Sequence, residues 1–235
     1  MKVLVLQARL SDDPMLAHEQ QCFVSATGLP RDALVFRNLV NGVPRPDELR
    51  DHHALMIGGS GRFSVAAPDA DFFEPTRDLL RWVVERAFPT FGSCFGYQLM
   101  VDALGGRVEH DPDNGEVGSY ELELTEAGAA DPLFGTLPTR FIAQMGHLDR
   151  ATTVPATLPN LASSPRSPYQ ALRVPGAPIW ATQFHPELDQ RANHERYTAY
   201  IERYGGGERD AEYRALPSPE ASSLLGRFLE LVGRS

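Results

Sequence analysis

Short apolar runs alternate with amphipathic or polar stretches over the first hundred residues. Val3 to Leu6, Leu34 to Phe36, Ala54 to Gly58 and Pro89 to Gly92 are too short for helices and read as strands buried on both faces. Between them, Pro14 to Gly28 and Pro68 to Ala87 are predicted to be helical. In the second, Leu79, Leu80, Val83, Val84 and Ala87 recur at spacings of three and four, and Asp69 and Asp71 stand near the expected start. Such alternation predicts an α/β fold with a doubly wound, mostly parallel sheet of the flavodoxin-like kind.

After Gly105-Gly106 the pattern changes. Val117 to Thr125 alternates residue by residue, Arg140 to Met145 gives another short strand, and Asp113-Asn114-Gly115 reads as a turn, so antiparallel additions are expected. Tyr169 to Val174 and Ile179 to Phe184, joined by Pro175-Gly176-Ala177-Pro178, form a hairpin-like pair that leads to His185. Two helical stretches follow, near Gln190 to Tyr204 and Pro219 to Val232, separated by Gly205-Gly206-Gly207, a helix stop or hinge. With 235 residues, 42% of them hydrophobic, the chain suits one domain (1–235) with a C-terminal helical extension from about 205 to 235.

Composition narrows the classes of function. A net charge of -9 disfavours sequence-independent binding to nucleic acid or anionic lipid, which needs excess Lys and Arg. Met1 to Leu6 holds too short an apolar run for a signal peptide, and nothing downstream approaches a membrane span. Two cysteines in unlike contexts, Cys22 and Cys94, do not suggest a disulfide framework, so a soluble cytoplasmic protein is expected.

The densest chemical signal is Gly92-Ser93-Cys94-Phe95-Gly96, where a strand runs into a helical pattern (Gly96 to Leu104). Glycines on both sides of a strand-to-helix bend relieve crowding around the residue presented there, so Cys94 reads as a nucleophile at an elbow. The helix N-terminus aimed at the sulfur is expected to lower the thiol pKa. Cys22, flanked by Phe23 and Val24 in a helical run, reads as core.

His185-Pro186-Glu187 follows the strand ending at Phe184. Pro186 holds His185 extended, and two residues along extended chain put His185 and Glu187 on one side, suited to a base and the carboxylate that orients it. His147, near Asp149, is the rival base. The glycine-rich Gly58-Gly59-Ser60-Gly61 follows a parallel strand but lacks a phosphate loop's Lys and a dinucleotide fingerprint. It reads as an oxyanion loop, with the N–H groups of Gly59 and Phe95 as donors. Neither the adjacent pair His52-His53 nor Asp111 with Asp113 makes a metal-ligand set, and no cofactor is implied.

Taken together, Gly58-Gly59-Ser60, Gly92-Ser93-Cys94-Phe95-Gly96-Tyr97-Gln98 and His185-Pro186-Glu187 resemble the class I (triad) glutamine amidotransferase domain, nearest to the amidotransferase domain of GMP synthetase, from Met1 to about Tyr204. The resemblance implies Cys94 as nucleophile, His185 as base and Glu187 as orienter. It also implies Gln98, Gly146 and His147 as substrate-binding residues. Gln144-Met145-Gly146-His147-Leu148-Asp149 is similar to a Trp-Met-Ser-His-Gly-Asp segment of that domain and departs from it at Gln144, Gly146 and Leu148. Ser60 replaces a common proline. No nucleotide-binding motif of a synthetase follows.

The expected function is therefore hydrolysis of glutamine's side-chain amide through a Cys94 thioester, releasing glutamate and ammonia, with a separate synthetase as a possible partner. A γ-glutamyl peptidase acting alone is the second reading, and a catalytically silent binding module the third.

Overall fold

In the computed structural model, residues 1–205 and 213–234 are described. The chain runs β1 (Val3–Ala8), α1 (Met15–Thr27), β2 (Leu34–Asn38), β3 (Ala54–Ser60), α2 (Phe73–Glu85), β4 (Thr90–Ser93), α3 (Phe95–Ala103), β5 (Arg107–His110), β6 (Glu116–Leu124) and α4 (Glu126–Ala129). It continues through β7 (Arg140–His147), β8 (Asp149–Thr153), β9 (Asn160–Ser163), β10 (Ala171–Val174), β11 (Ile179–Thr182), α5 (Gln190–Ala199), α6 (Pro219–Ser222) and α7 (Leu224–Gly233).

Nine strands form one sheet in the order β2-β1-β3-β4-β11-β10-β9-β6-β7. The first five are mutually parallel, and β10, β9, β6 and β7 continue antiparallel. Every residue of β1, β4 and β11 is buried, the consequence of covering both faces of a parallel sheet. One core layer joins α2 and α3 to the sheet through Leu79, Leu80, Val83, Leu99, Met100 and Ile57. On the other face Leu224, Leu225 and Phe228 of α7 pack with Val5, Met56 and Phe91. An α/β fold with a mostly parallel sheet and antiparallel additions is thus what forms.

Several boundaries differ from the sequence reading. Helix α2 begins at Phe73 rather than near Pro68, leaving Asp69 and Asp71 in the preceding loop. Phe72 and Phe73 stack at 4.8 Å and meet Phe95 edge-on, and this aromatic packing anchors the helix start. The Gly58-Gly59-Ser60 segment is the end of strand β3 rather than a free loop. Asp111 caps a short 3-10 turn, Pro112–Asn114, that leads into β6. That turn is not a two-residue hairpin, because β5 pairs with β8 in a separate ribbon. Helix α5 stops at Ala199 with a non-helical Tyr200, and the C-terminal stretch is broken once, at Ser223. Of the glycine run, Gly205 has φ +98°, while Gly206 and Gly207 lie outside the described residues. Among the described residues no helix is long and apolar enough to cross a membrane.

Candidate active site

The C-terminal ends of β3, β4 and β11 lie side by side and share one rim. Register fixes this arrangement: Ser93 pairs with Thr182, Gly92 pairs with Ile57, and the Cys94 N–H donates to the Thr182 carbonyl at 2.7 Å. Cys94 itself has φ +50° and ψ −97°, a backbone conformation that a side-chain-bearing residue adopts only when its surroundings hold it there. The two glycines that flank it allow close approach. A Cβ on Gly92 would lie 2.8 Å from the Gly96 carbonyl carbon, and one on Gly96 would lie 2.6 Å from the Ile57 carbonyl oxygen. Their φ values are ordinary, so contact distance rather than left-handed backbone demands glycine here.

Beyond β11 the chain turns so that the His185 N–H donates to the Gln144 carbonyl at 2.9 Å, tying the strand end to β7. His185 Nδ1 lies 2.6 Å from Glu187 Oε1, and both side chains are almost wholly buried. With Nδ1 committed to the carboxylate, Nε2 is the nitrogen left for proton transfer. Burial works against the charged form of Glu187, yet the His185 imidazole, its hydrogen bond and the Arg196 guanidinium outweigh it and hold the carboxyl at about 2. His185 is pushed below its ordinary value, first by burial and then by Arg196, against the pull of Glu187.

The thiol departs from expectation. Burial pushes Cys94 up to about 12, with the Glu187 charge adding to it and Arg196 and Arg203 opposing it. Removal from water thus disfavours the thiolate, the opposite of the effect expected from the helix N-terminus. A nucleophile at this position would lose its proton as it attacks, and a neutral imidazole on the same rim is suited to take it.

One expected oxyanion donor is otherwise engaged. The N–H of Gly59 donates to Glu19 Oε1 at 3.0 Å, so in this conformation it is not free to bind an oxyanion. Glu19 is fully buried and is held by Arg9 Nε and Nη2 at 3.1 and 3.0 Å and by Gln7 Nε2 at 2.9 Å. A carboxylate fixed by three side-chain donors is a strong acceptor for a fourth, backbone, N–H. Phe95 is the first residue of α3, so its N–H has no carbonyl of a preceding turn to meet.

Gln98, Gly146 and His147 line the crevice together with Cys94, Phe95 and Ser60, around about 240 Å³ of space. Gln98 Nε2 donates to the Asp149 carbonyl at 2.9 Å and to Gln183 Oε1 at 3.2 Å, and Gln183 Nε2 reaches Cys94 Sγ at 3.7 Å. His147, the rival base, has both ring nitrogens engaged: Nδ1 at 3.0 Å from the Asp149 carbonyl and Nε2 at 3.2 Å from Glu116 Oε2. Strand register explains that pair, since Glu116 sits directly opposite His147 across β6 and β7.

Sequence reasoning missed Arg196, the buried ion pair Arg9–Glu19, Gln183, Arg203 and Tyr204. Arg196 Nη1 lies 3.2 Å from His185 Nδ1 and 3.6 Å from Glu187 Oε1, and Nη2 lies 3.8 Å from Glu19 Oε1. The only signal was periodic: Asn193, Arg196, Tyr197, Tyr200 and Tyr204 recur at helical spacing, an inward stripe made of polar and aromatic residues.

Arg196 should therefore set the acid limit of activity. A cation beside His185 disfavours the imidazolium, so removing it raises the His185 pKa. In Arg196→Met the acid limb of kcat/KM is expected to move upward by about 0.5 to 1 pH unit, with the rate near pH 8 falling much less. Glu187, Glu19 and Arg196 are the charged groups facing His185 that change this balance. An unmoved limb in a folded variant would remove Arg196 from the account.

A sharp bend presenting a cysteine and a buried His-carboxylate pair, at the ends of neighbouring strands on the C-terminal rim of a doubly wound sheet, defines an α/β protein with a candidate site at that rim. Residues 41–201 match the family model of glutamine amidotransferase class-I, and the chain belongs to that family. It is 36% identical over 135 residues to the GMP synthase [glutamine-hydrolyzing] of Thermosipho melanesiensis, covering 57% of this chain and 24% of that protein. It is 32% identical over 158 residues to the enzyme of the same name from Lactococcus lactis subsp. cremoris, covering 67% of this chain and 29% of that protein. The chain thus matches about a quarter of the length of these curated relatives. A glutamine amidotransferase structure from Thermotoga maritima superposes with a TM-score of 0.75 at 18% identity, covering 100% of this chain and 99% of that one. Another from Methylobacillus flagellatus gives 0.71 at 22% identity, covering 99% and 90%. At those identities the structural likeness speaks for the fold.

Proposed function

We propose that this protein hydrolyses the γ-amide of glutamine, or of a γ-glutamyl compound, through a thioester on Cys94. The observation that carries the reading is the 2.6 Å His185–Glu187 contact, buried at the end of the strand that pairs with the cysteine's own strand. His185 Nε2 takes the thiol proton as sulfur attacks the γ-carbonyl carbon, and the carbonyl electrons move onto oxygen. The Phe95 N–H faces that oxyanion, joined by the Gly59 N–H once it parts from Glu19. As the intermediate collapses the C–N bond breaks, His185 returns its proton to the nitrogen, and ammonia departs. Water then gives a proton to His185 and attacks the thioester, releasing glutamate, and the proton goes back to sulfur.

Curated relatives named GMP synthase [glutamine-hydrolyzing] support glutamine as substrate and a synthetase as the consumer of the ammonia. The test is direct: purified protein is given glutamine or γ-glutamyl dipeptides, and glutamate, ammonia and the mass of the intact protein are followed. Ammonia released from glutamine, with a transient acyl adduct on Cys94, is the expected result. Cleavage of dipeptides alone would turn the assignment to a γ-glutamyl peptidase. No turnover together with an unreactive Cys94 would leave a silent binding module.

A further inference from the structure

The geometry points to Gln183 as a further catalytic residue, a side-chain donor that stabilises negative charge on the Cys94 sulfur as its proton leaves. The inference rests on the hydrolase reading above.

A buried sulfur that is to carry charge needs a donor in place of the water it has lost. Burial pushes the Cys94 thiol upward, and the charge of Glu187 adds to it. Gln183 Nε2 lies 3.7 Å from Sγ, and the Gln183 side chain is fully buried. Which end of that amide faces the sulfur follows from a chain of contacts. The Asp149 main-chain carbonyl can only accept, so the end of Gln98 that meets it at 2.9 Å is the NH2. The same NH2 points at Gln183 from 3.2 Å, so Gln183 presents its oxygen there and has its own NH2 left for Sγ. Turning either amide over would set two acceptors or two donors against each other.

The backbone that carries this amide has little freedom. The Gln183 N–H donates to the Gln170 carbonyl at 2.8 Å, and the carbonyl of the preceding Thr182 accepts the Cys94 N–H at 2.7 Å. Two residues further on, the His185 N–H donates to the Gln144 carbonyl at 2.9 Å. The donor to sulfur and the base that takes its proton thus come from one short segment after β11, and that segment is tied to the nucleophile's own bend.

Proton and charge go separate ways. As sulfur attacks, its proton passes to His185 Nε2, while Gln183 keeps both amide hydrogens and directs one at the developing charge. A hydrogen bond to an ionised acceptor is shorter than a neutral one and roughly twice as strong, so this contact gains most as charge appears on sulfur. That gain separates a donor that speeds attack from a buried glutamine that only fills space.

Two variants test this, read by the rate at which iodoacetamide alkylates Cys94, followed by peptide mass, and by kcat/KM for glutamine. Gln183→Met keeps the length of the side chain and removes the donor. Near pH 8 its alkylation rate is expected to fall about ten-fold, the loss of thiolate that a rise of about one unit in the thiol pKa brings, and kcat/KM about 10- to 50-fold, carried by kcat. Gln183→Glu keeps the shape and carries the test should Gln183→Met not fold. Its carboxyl donates to sulfur when protonated; when ionised it has no hydrogen to give and repels the thiolate. The ratio of its kcat/KM to that of wild type is therefore expected to decline by about ten-fold or more from about pH 6 to about pH 9. Glu187, Arg196, Asp149 and Arg203, the other charged groups acting on the sulfur, are common to both proteins and cancel in the ratio. Unchanged alkylation in folded Gln183→Met, or a ratio that is flat across pH, removes Gln183 from the catalytic set while the hydrolase reading stands on glutamine turnover. A wild type that turns over no glutamine, with the ten-fold fall in alkylation still seen, would overturn the hydrolase reading and keep Gln183 as the donor to sulfur.

Discussion

Cys94→Ala is expected to abolish turnover, with a loss of at least about 10⁴-fold in kcat for glutamine and γ-glutamyl amides alike. The size of the effect follows from the chemistry: without sulfur there is no thioester, and the remaining groups can only position water. Labelling by a glutamine-analogue electrophile should vanish with it, as read by intact-protein mass. Alanine leaves out only the sulfur at a position buried beside Phe95 and Gln183, so the fold should remain close to that of wild type. Cys94→Ser is expected to be nearly as inactive, because an alkoxide is far harder to form than a thiolate in the same dry pocket. Labelling that persisted in the folded alanine variant would point to Cys22 and sink the assignment. That alternative is disfavoured by position: Cys22 lies inside helix α1, away from the strand-to-helix bend, with its Sγ 3.7 Å from His18 Nδ1.

Gly96→Ala should have the second largest effect and act through stability as well as rate. The added methyl would meet the Ile57 carbonyl oxygen at 2.6 Å and the Ile57 Cβ at 2.8 Å, in the middle of strand β3. Neither can swing away, since Ile57 is paired to both β1 and β4. Overpacking of this kind costs about 1 to 3 kcal/mol, and more where backbone must shift. A shift of α3 away from β3 would also carry Cys94 and the Phe95 N–H off the rim, with an expected rate loss of about 10²-fold in whatever remains folded. Urea denaturation and the residual kcat measure the two parts separately. A variant of wild-type stability and activity would show that the elbow tolerates a side chain at this position. The hydroxyl-bearing Ser93 makes a suitable control: its Oγ is buried with no hydrogen-bond partner among the described residues, so Ser93→Ala removes no hydrogen bond among them.

Local pattern carried much of the architecture. Strands β1, β3, β4 and β11 were legible because a parallel strand covered on both faces must be apolar throughout, and that leaves an unbroken run in the sequence. The elbow was legible because close contact between Gly92, Gly96 and β3 excludes side chains at two fixed positions. His185 and Glu187 were legible as a pair because a Pro between them holds the chain extended, and the 2.6 Å contact is a local consequence.

Strands β5 and β8 were not legible. They pair outside the main sheet with much of their surface in water, so Arg107-Val108-Glu109-His110 and Asp149-Arg150-Ala151-Thr152-Thr153 carry no apolar run. Helix α5 was visible only as a polar stretch, because its inward residues, Asn193 and Arg196 among them, are held by hydrogen bonds and charge rather than by apolar contact.

What the sequence by itself determined is therefore whatever neighbours in the chain impose on one another: the strand runs, the bend at Cys94, and the His185-Pro186-Glu187 geometry. What only the tertiary structure decided is every property set by groups far apart along the chain. Glu19 takes the Gly59 N–H from forty residues away, Arg196 stands beside His185, and Arg203 with Tyr204 walls the crevice across from Gly146. The thiol belongs to the second group as well. A helix N-terminus is written in the local sequence and favours the thiolate, but removal from water is a property of the whole packed molecule, and at Cys94 it pushes the thiol up.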